Sequence, residues 1–274
     1  MHAIHSLRLR SALRLVNVVA LPLIGLGIVG GQAQAETVLQ VSPVRLQFEP
    51  QQHAQALQVA NHGTQALDAQ VRVFRWTQEN GQDVLAPIDD IVVSPAILKV
   101  VPGQQQTVRI IRVKPITSAA ELSYRVLVDE LPNKSAPTQR AGLKVLMRYS
   151  IPLFIAHQPA QASTKRQRSA PPAASLTDLS AVSAQLVPSP SGKHQLSVRN
   201  DGATHLRITN LSVASANGGV QPLGSGLTGY VLPGQQMSWP LPNIDRPLRA
   251  DQTLKARFND DRQAQELPLV KPER

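Results

Sequence analysis

The stretch from residue 143 to residue 151, Leu-Lys-Val-Leu-Met-Arg-Tyr-Ser-Ile, decides the fold class. Three of its four even positions are polar, whereas its odd positions form an apolar row of Leu143, Val145, Met147, Tyr149 and Ile151. Successive side chains of a β-strand point to opposite faces, so an apolar residue at every second position gives one continuous apolar face. The stretch therefore predicts a long strand, which we extend to Ile155.

Short β-rich runs separated by turn residues precede and follow this strand. Asn80-Gly81, Pro102-Gly103 and Asn200-Asp201-Gly202 supply turns, because Asn and Gly accept positive φ and Pro presets φ. Strands at this spacing, without long helical periodicity between them, indicate antiparallel sandwiches. The predicted runs are Leu39–Val41, Val44–Phe48, Ala56–Ala60, Ala69–Trp76, Ile91–Val93, Gln106–Val113, Tyr124–Val128, Gln185–Val187, His194–Arg199, Leu206–Ala214, Gly229–Leu232, Gln236–Trp239 and Leu254–Phe258.

The two halves of the chain share a sequence pattern. Ala56–Gly63 parallels Gln195–Gly202, and Val101–Gln104 parallels Leu232–Gln235. A pattern that recurs once in a chain of this length indicates two similar units. We therefore predict an all-β protein with two Ig-like β-sandwich domains in tandem.

The expected domain organisation follows from shifts in composition. The first segment has arginines, then an apolar run, then Ala33-Gln34-Ala35, which is the layout of a secretory signal peptide cleaved after Ala35. Residues from Gln158 to about Ser180 are rich in Ala, Pro, Ser and Gln, a composition that cannot bury enough apolar surface to pack. The predicted parts are a signal peptide at 1–35, an N-terminal domain at 36–157, a flexible linker or loop at 158–180 and a C-terminal domain at 181–274.

Charge and composition narrow the class of protein. Cleavage of the signal segment, with its three arginines and no acidic residue, lowers the net charge from +10 to +7. The remaining cations are scattered and aromatic residues make up only 3% of the chain, so we expect no nucleic-acid partner. Without cysteine, an exported protein must be stabilised by its hydrophobic cores. No segment after residue 35 has an apolar run long enough to span a bilayer, so we expect no stable membrane insertion after signal cleavage.

The sequence contains no recognisable catalytic arrangement. It has no Gly-x-Ser-x-Gly motif and no cysteine nucleophile, and its seven histidines show no paired metal-ligand spacing. We therefore expect no enzyme activity, no catalytic or metal-binding residue and no cofactor.

The remaining question is whether the apolar row is buried or presented to a partner. By the alternation alone, its residues would face the interior of their own sandwich while the even residues face water.

Four short motifs change this interpretation. They are Ser42-Pro43-Val44-Arg45, Pro102-Gly103-Gln104-Gln105, Asp129-Glu130-Leu131-Pro132 and Ile151-Pro152-Leu153-Phe154. Together with the 143–151 strand, they resemble the periplasmic chaperones of usher-dependent pilus assembly, a PapD-like family. The strings from Tyr124 to Pro132 and from Ser150 to Phe154 are more similar to its archaic, or spore-coat-type, branch.

The resemblance implies roles for individual residues. In this family the last strand of the first domain completes a pilin sandwich by donor-strand complementation. The matching positions are Leu143, Val145, Met147 and then Tyr149.

The family also anchors the pilin C-terminal carboxylate with an Arg on the first strand and a Lys on the last. Arg45 matches the Arg, but Pro152 stands at the Lys place. We predict that Arg125 replaces this Lys, on the assumption that it lies opposite about Arg148, and Arg148 is a second candidate.

The resemblance implies a function without a cofactor. The protein is expected in the periplasm, where it would bind and cap pilin subunits and deliver them to an outer-membrane usher. The alternatives are a secreted structural pilin or adhesin of Ig-like fold, which would need an N-terminal donor extension, and a secreted hydrolase, for which no nucleophile or metal set is evident.

Overall fold

A computed structural model describes residues 39–115, 118–132, 145–157, 176–189, 193–241, 244 and 248–270. These residues lie in one compact unit and form strands and connecting turns. No helix long and apolar enough to cross a membrane occurs among them. The expected signal peptide, Leu143 and positions 158–175 of the expected linker lie outside the described residues.

The first domain is a sandwich of two sheets. One sheet has the order β1-β3-β8-β6, and the other has the order β2-β10-β9-β4-β5, with β7 also paired to β4. The strands are β1 Leu39–Ser42, β2 Leu46–Phe48, β3 Ala54–Asn61, β4 Leu67–Glu79, β5 Gln82–Ala86, β6 Ile91–Ser94, β7 Ile97–Val100, β8 Gln105–Arg112, β9 Leu122–Leu131 and β10 Arg148–Ile155.

The second domain repeats this two-layer arrangement. A sheet of order β11-β12-β16 faces a sheet of order β14-β13-β17-β18, in which β15 also pairs with β13. Its strands are β11 Val182–Pro188, β12 His194–Asn200, β13 Leu206–Ser215, β14 Val220–Pro222, β15 Leu227–Val231, β16 Gln235–Leu241, β17 Gln252–Phe258 and β18 Gln265–Glu266. The all-β prediction of two Ig-like sandwiches is thus confirmed.

Each domain has its own hydrophobic core. In the first, inward side chains of both sheets meet around Phe48, Leu57 and Ile110, all of which are fully buried. In the second, the core is built around Leu196, Ile208 and Phe258. Alternation along the strands places these residues inward, so the cores follow directly from the period of two.

The strand pattern differs from the sequence prediction at a few places. The run expected at Val44–Phe48 forms a strand only from Leu46, because the preceding residues cross from one sheet to the other. Asn80 and Gly81 have the positive φ values of 52° and 73° expected of a turn and join β4 to β5. The short strands β5, β7, β14 and β18 were not predicted.

The internal sequence repeat corresponds to the same hydrogen-bond network in both domains. The buried Asn61 amide donates to the carbonyl oxygens of Gln65 and Val100, at 2.7 and 2.9 Å, and its oxygen accepts the Gly63 N–H. In the second domain Asn200 likewise donates to Thr204 and Val231, at 2.8 and 3.1 Å, and accepts from Gly202.

The turns that follow complete the parallel. The Gly103 N–H donates to the carbonyl oxygen of Asn61, and the Gly234 N–H donates to that of Asn200. Both glycines have φ of 71°, a conformation that a side chain disfavours. Each Asn therefore ties two turns to the end of its own sandwich.

The domains meet in a small apolar cluster of Trp76, Phe154, Tyr230 and Leu232. Trp76 and Tyr230 are 5.5 Å apart in an edge-to-face arrangement. The buried Gln78 side chain donates to the Tyr230 carbonyl oxygen at 3.0 Å and accepts the Leu232 N–H at 2.9 Å. Phe154 belongs to β10, so the face of β10 opposite its core face packs against the second domain.

Candidate functional site

The strand expected from Leu143 begins only at Arg148, and the odd positions of the described segment 145–155 change from exposed to buried along the chain. Ile151 is 2% exposed and, with Leu153 and Ile155, belongs to the core of the first domain. Tyr149 is partly buried against the same core, and its hydroxyl donates to the Leu39 carbonyl oxygen at 2.7 Å. Met147 is 43% exposed and Val145 is 62% exposed. One apolar row therefore begins in the core and continues into solvent.

The outer edge of β10 has no strand partner along Arg148–Pro152 within the described part of the chain. On one side β10 pairs with β9 over its full length. On the other side β2 pairs in parallel with Leu153, Phe154 and Ile155 only. An unpaired strand edge presents backbone N–H and C=O groups that can accept another strand.

Arg148 is held at the start of β10 by Asp129, directly across the sheet. Its Nε donates to the Asp129 carboxylate, which also accepts from Arg72 Nη2 at 2.7 Å. Burial acts to raise the pKa of Asp129, but the hydrogen bonds from Arg148 and Arg72 outweigh it and lower that pKa. Arg148 thus has a fixed carboxylate partner and an exposed side chain.

The register of β9 and β10 differs from the one assumed from the sequence. Arg125 lies opposite Pro152, and Arg148 lies opposite Asp129. The assumption that Arg125 lies opposite about Arg148 was wrong, because the register is set by pairing between the strands and not by their local sequence. The actual register brings Arg125 beside the place of the family's Lys.

A cleft of about 540 Å³ lies between the two domains. The even-numbered residues Ser150 and Pro152 of β10 contribute to its wall. Its lining includes four arginines, namely Arg45, Arg125, Arg207 and Arg257, and two carboxylates, Asp260 and Asp261. The structure therefore brings together Arg45 and Arg125, whereas Arg148 is not part of the described lining.

Arg125 is largely desolvated in this cleft. Its guanidinium carbon lies 3.6 Å from the centroid of the Trp76 ring and 5.6 Å from that of Tyr230. Burial lowers the pKa of Arg125, against the attraction of Asp83, whose Oδ2 is 3.7 Å from Nη2. An arginine remains protonated under such conditions, so the cleft contains a buried cation that an anion would stabilise.

Arg45, immediately before β2, forms an ion pair across the cleft. Its Nη2 donates to Asp260 Oδ2 at 2.7 Å, and Arg207 Nη2 contacts Asp260 Oδ1 at 3.1 Å. The hydrogen bond from Arg45 lowers the pKa of Asp260. The Arg45 guanidinium already binds a carboxylate in this structure, one supplied by the second domain.

Sequence reasoning missed Arg207, Asp260, Asp83 and Tyr230 as parts of the site. Arg207 alternates with buried Leu206 and Ile208, which is the pattern of any solvent-facing strand residue. Asp260 follows β17 in an ordinary polar turn. No local signal marks Arg207, Asp260 or Tyr230 as site residues, since only the meeting of the two domains places them in the cleft. Asp83 contacts Arg125 within the first domain, through strand pairing that is not local in sequence.

Comparisons with known proteins concern the family of the first domain and the fold of the chain. A family model described as pili and flagellar-assembly chaperone, PapD N-terminal domain, matches residues 38–162. A search of curated proteins gave no significant match.

Several solved structures share the fold over both domains. One is the CsuC–CsuE chaperone–tip adhesion subunit pre-assembly complex from archaic chaperone-usher Csu pili of Acinetobacter baumannii, with a TM-score of 0.62, 22% identity, and coverage of 85% of this chain and 100% of that chain. The Pseudomonas aeruginosa CupB2 chaperone has a TM-score of 0.53 and 17% identity, with coverage of 84% of this chain and 100% of that chain. The Salmonella enterica complex of SafA pilin with the SafB chaperone has a TM-score of 0.54 and 15% identity, with coverage of 82% of this chain and 91% of that chain.

The matched residues 38–162 include every strand of the first domain, the Arg45 position and the strand that carries the apolar row. The structural similarity extends the shared fold to the second domain. Residues 38–162 match the family of pili and flagellar-assembly chaperones through its PapD N-terminal domain, and the fold of the chain is similar to that of the solved chaperones.

Proposed function

We propose that this protein is a periplasmic chaperone that captures pilin subunits by donor-strand complementation and delivers them to an outer-membrane usher. One observation carries the proposal. The apolar row leaves the core at Tyr149 and continues as exposed Met147 and Val145, next to a strand edge that has no partner among the described residues. A strand with this combination of features is suited to complete the sandwich of another protein.

The donor residues would be Leu143, Val145 and Met147, with Tyr149 at the base of the row. In β-augmentation, main-chain hydrogen bonds supply affinity and alternate side chains fill pockets. Burial of Val and Met side chains contributes about 1.5–3 kcal/mol each. Because the row continues into the chaperone's own core through Ile151, the donated part is held on a rigid base.

The pilin C-terminal carboxylate would bind in the cleft at Arg45 and Arg125. A guanidinium binds a carboxylate through charge-assisted hydrogen bonds, often in pairs. The desolvation of Arg125 favours it as the second anchor, because binding of an anion would compensate a buried cation. Arg148 is the weaker candidate, since Asp129 already holds it at the start of β10.

The rest of the proposal rests on the family and on the relatives. The Acinetobacter and Salmonella structures contain a chaperone with a tip adhesion subunit and with a pilin, respectively, and we assign a partner of that class to this chain. We place it in the archaic branch and in the periplasm, with the signal peptide at 1–35.

For the domains we propose that the first ends near 157, as expected, and that the second begins near 176, a few residues before the expected 181. The Thr177 N–H already donates to Asp261 of the second domain, and Leu179 packs against its core.

The test is capture of a subunit in the periplasm. Tagged wild-type protein and the Val145→Asp and Met147→Asp variants would be purified from the periplasm of the source organism, and the bound proteins identified by mass spectrometry. A charge in a dry pocket costs several kcal/mol, so both variants should lose the pilin. Val220→Asp is the matched control, since Val220 is an exposed strand residue of the second domain, 65% exposed, and this variant should retain the pilin.

Retention of the same pilin by both donor-strand variants, at the wild-type level, would contradict donor-strand complementation. Delivery to the usher needs a separate measurement. Deleting the gene should remove surface fibres, and wild-type protein should restore them while Met147→Asp should not.

A further inference from the structure

We propose that Asp260 occupies, in the free protein, the position of the partner's C-terminal carboxylate, and that Arg207 is a further cation of the anchor site. Arg45 from the first domain and Arg207 from the second would then form one carboxylate site that spans the cleft. This inference rests on the proposed function and specifies the chemistry of its anchor.

The geometry of Asp260 is that of a carboxylate bound by two arginines. Its Oδ2 accepts from Arg45 Nη2 at 2.7 Å, while Oδ1 lies 3.1 Å from Arg207 Nη2. The terminal carboxylate of a peptide has the same two oxygens and the same charge. A ligand anchored at Arg45 must therefore compete with Asp260 or bind beside it.

The turn that carries Asp260 is firmly held, although the Asp260 side chain itself is 70% exposed. Asn259 has φ of 44°, and its Oδ1 accepts the Arg207 N–H at 2.9 Å. The neighbouring Asp261 carboxylate accepts the Thr177 N–H and a hydrogen bond from Gln265. The backbone thus presents the Asp260 carboxylate to the cleft, while its side chain has room to rotate away.

Arg207 would remain in place when Asp260 leaves. Its Nη2 also donates to the Asn259 carbonyl oxygen, and its backbone bonds fix β13 against the turn. Exposed ion pairs contribute little free energy, so a ligand that gains strand pairing as well can displace Asp260 easily. In the free protein, Asp260 neutralises the Arg45 and Arg207 guanidinium groups. It would be displaced by a peptide that pairs with the strand and also carries a C-terminal carboxylate.

The experiment compares two peptides on the full-length mature protein. Both are fluorescein-labelled ten-residue peptides of alternating valine and threonine, one ending in a free carboxylate and the other in an amide. The readout is the ratio of their dissociation constants, measured by fluorescence anisotropy for wild type and for Arg45→Ala, Asp260→Asn, Arg207→Gln and Asp251→Asn. Asp251 forms an exposed ion pair with Arg249 elsewhere in the second domain, so its variant matches the charge change.

We expect wild type to prefer the free carboxylate and Arg45→Ala to lose that preference. Asp260→Asn should increase the preference for the free carboxylate about fivefold, because the ion pairs of Asp260 with the two arginines no longer compete with the peptide and an exposed ion pair contributes a free energy of that size. Arg207→Gln should decrease it about tenfold, as for one lost charge-assisted hydrogen bond. Asp251→Asn should leave it unchanged, and thermal unfolding would verify that each variant is folded.

The outcomes separate the two proposals. If wild type shows no preference for the free carboxylate, the anchor itself is absent and this inference fails with it. If wild type and Arg45→Ala behave as expected but Asp260→Asn has the wild-type ratio, the anchor stands and the competing role of Asp260 is wrong. If Arg207→Gln folds and keeps the wild-type ratio, Arg207 is not part of the site.

Discussion

Arg125 on β9 lies directly opposite Pro152 on β10. Pro152 stands where the resemblance to the family places a Lys, and a proline has no charge to offer. Cross-strand neighbours have side chains within about 5 Å of each other, so Arg125 can bring a cation to nearly the same point from the adjacent strand. The stacking of its guanidinium over Trp76 then aims that cation into the cleft.

The two candidates for the second anchor can be separated by substitution. Arg125→Ala should weaken subunit binding by about 1.5–3 kcal/mol, because it removes a charged hydrogen-bond donor from a desolvated site. Arg125→Lys should recover part of this loss, since it restores the cation without the planar fork. Binding constants for the captured pilin, measured by calorimetry, would test both.

Arg148→Ala is the matched comparison for Arg125→Ala. It should change binding much less, because Arg148 pairs with Asp129 outside the described cleft lining. Loss of binding in Arg148→Ala, together with wild-type affinity in Arg125→Ala, would transfer the anchor to Arg148.

The burial gradient along the apolar row predicts effects of very different size from the same substitution at two positions. Ile151→Asp places a charge in the core and should lower the free energy of unfolding by about 3–5 kcal/mol. Met147→Asp, in the exposed continuation of the same apolar row just before β10, should change it by less than about 1 kcal/mol. Urea unfolding followed by circular dichroism would measure both, and a comparable loss in the two variants would mean that Met147 is a core residue.

The contribution of Asp129 to stability should depend on pH. Its pKa is about 3.9 in the unfolded chain and lower in the folded protein. A carboxyl group whose pKa is lowered on folding stabilises the protein above its unfolded pKa, and this stabilisation is lost as the pH falls through the folded value. Asp129→Asn should therefore cost about 1–3 kcal/mol at pH 7, and progressively less below about pH 4.

Urea unfolding of wild type and Asp129→Asn at a series of pH values would test this dependence. A difference between the two proteins that is constant from pH 7 into the acid range would show that Asp129 acts through packing rather than through its charge.

The repeated asparagine networks predict equal and independent losses in the two domains. Asn61→Ala leaves the buried Val100 carbonyl oxygen without its amide donor, and Asn200→Ala does the same to that of Val231. Each should cost about 1–3 kcal/mol, the penalty for an unsatisfied buried group. Asn217→Ala, at an exposed turn, is the control and should cost less than about 0.5 kcal/mol.

The double variant gives a further check. Because Asn61 and Asn200 share no hydrogen-bond partner, their effects should add to within about 0.5 kcal/mol. A strongly non-additive result would indicate that the two domains are coupled through these turns.

The sequence alone determined the fold class and much of the domain architecture. The period of two in the strands, the turn residues such as Asn80-Gly81, and the repeat around Asn61 and Asn200 are all local, so they can be read without coordinates. The strands β5 and β14 were missed because they are mostly exposed, and a strand with little buried surface needs no alternation of apolar and polar residues. Arg45 was predicted as a site residue from a short motif close to the N-terminal end of the first domain, and its role as an anchor stays a prediction.

The tertiary structure decided which part of the apolar row is buried and what fills the cleft. Alternation says that odd residues share a face, but whether that face is covered depends on strands distant in sequence, which cover Ile151 and leave Val145 exposed. The register of β9 and β10 is set by non-local pairing, which moved Arg125 from Arg148 to Pro152. Asp260 meets Arg45 across 215 residues because two domains dock, and a contact formed by docking has no signature in either local sequence.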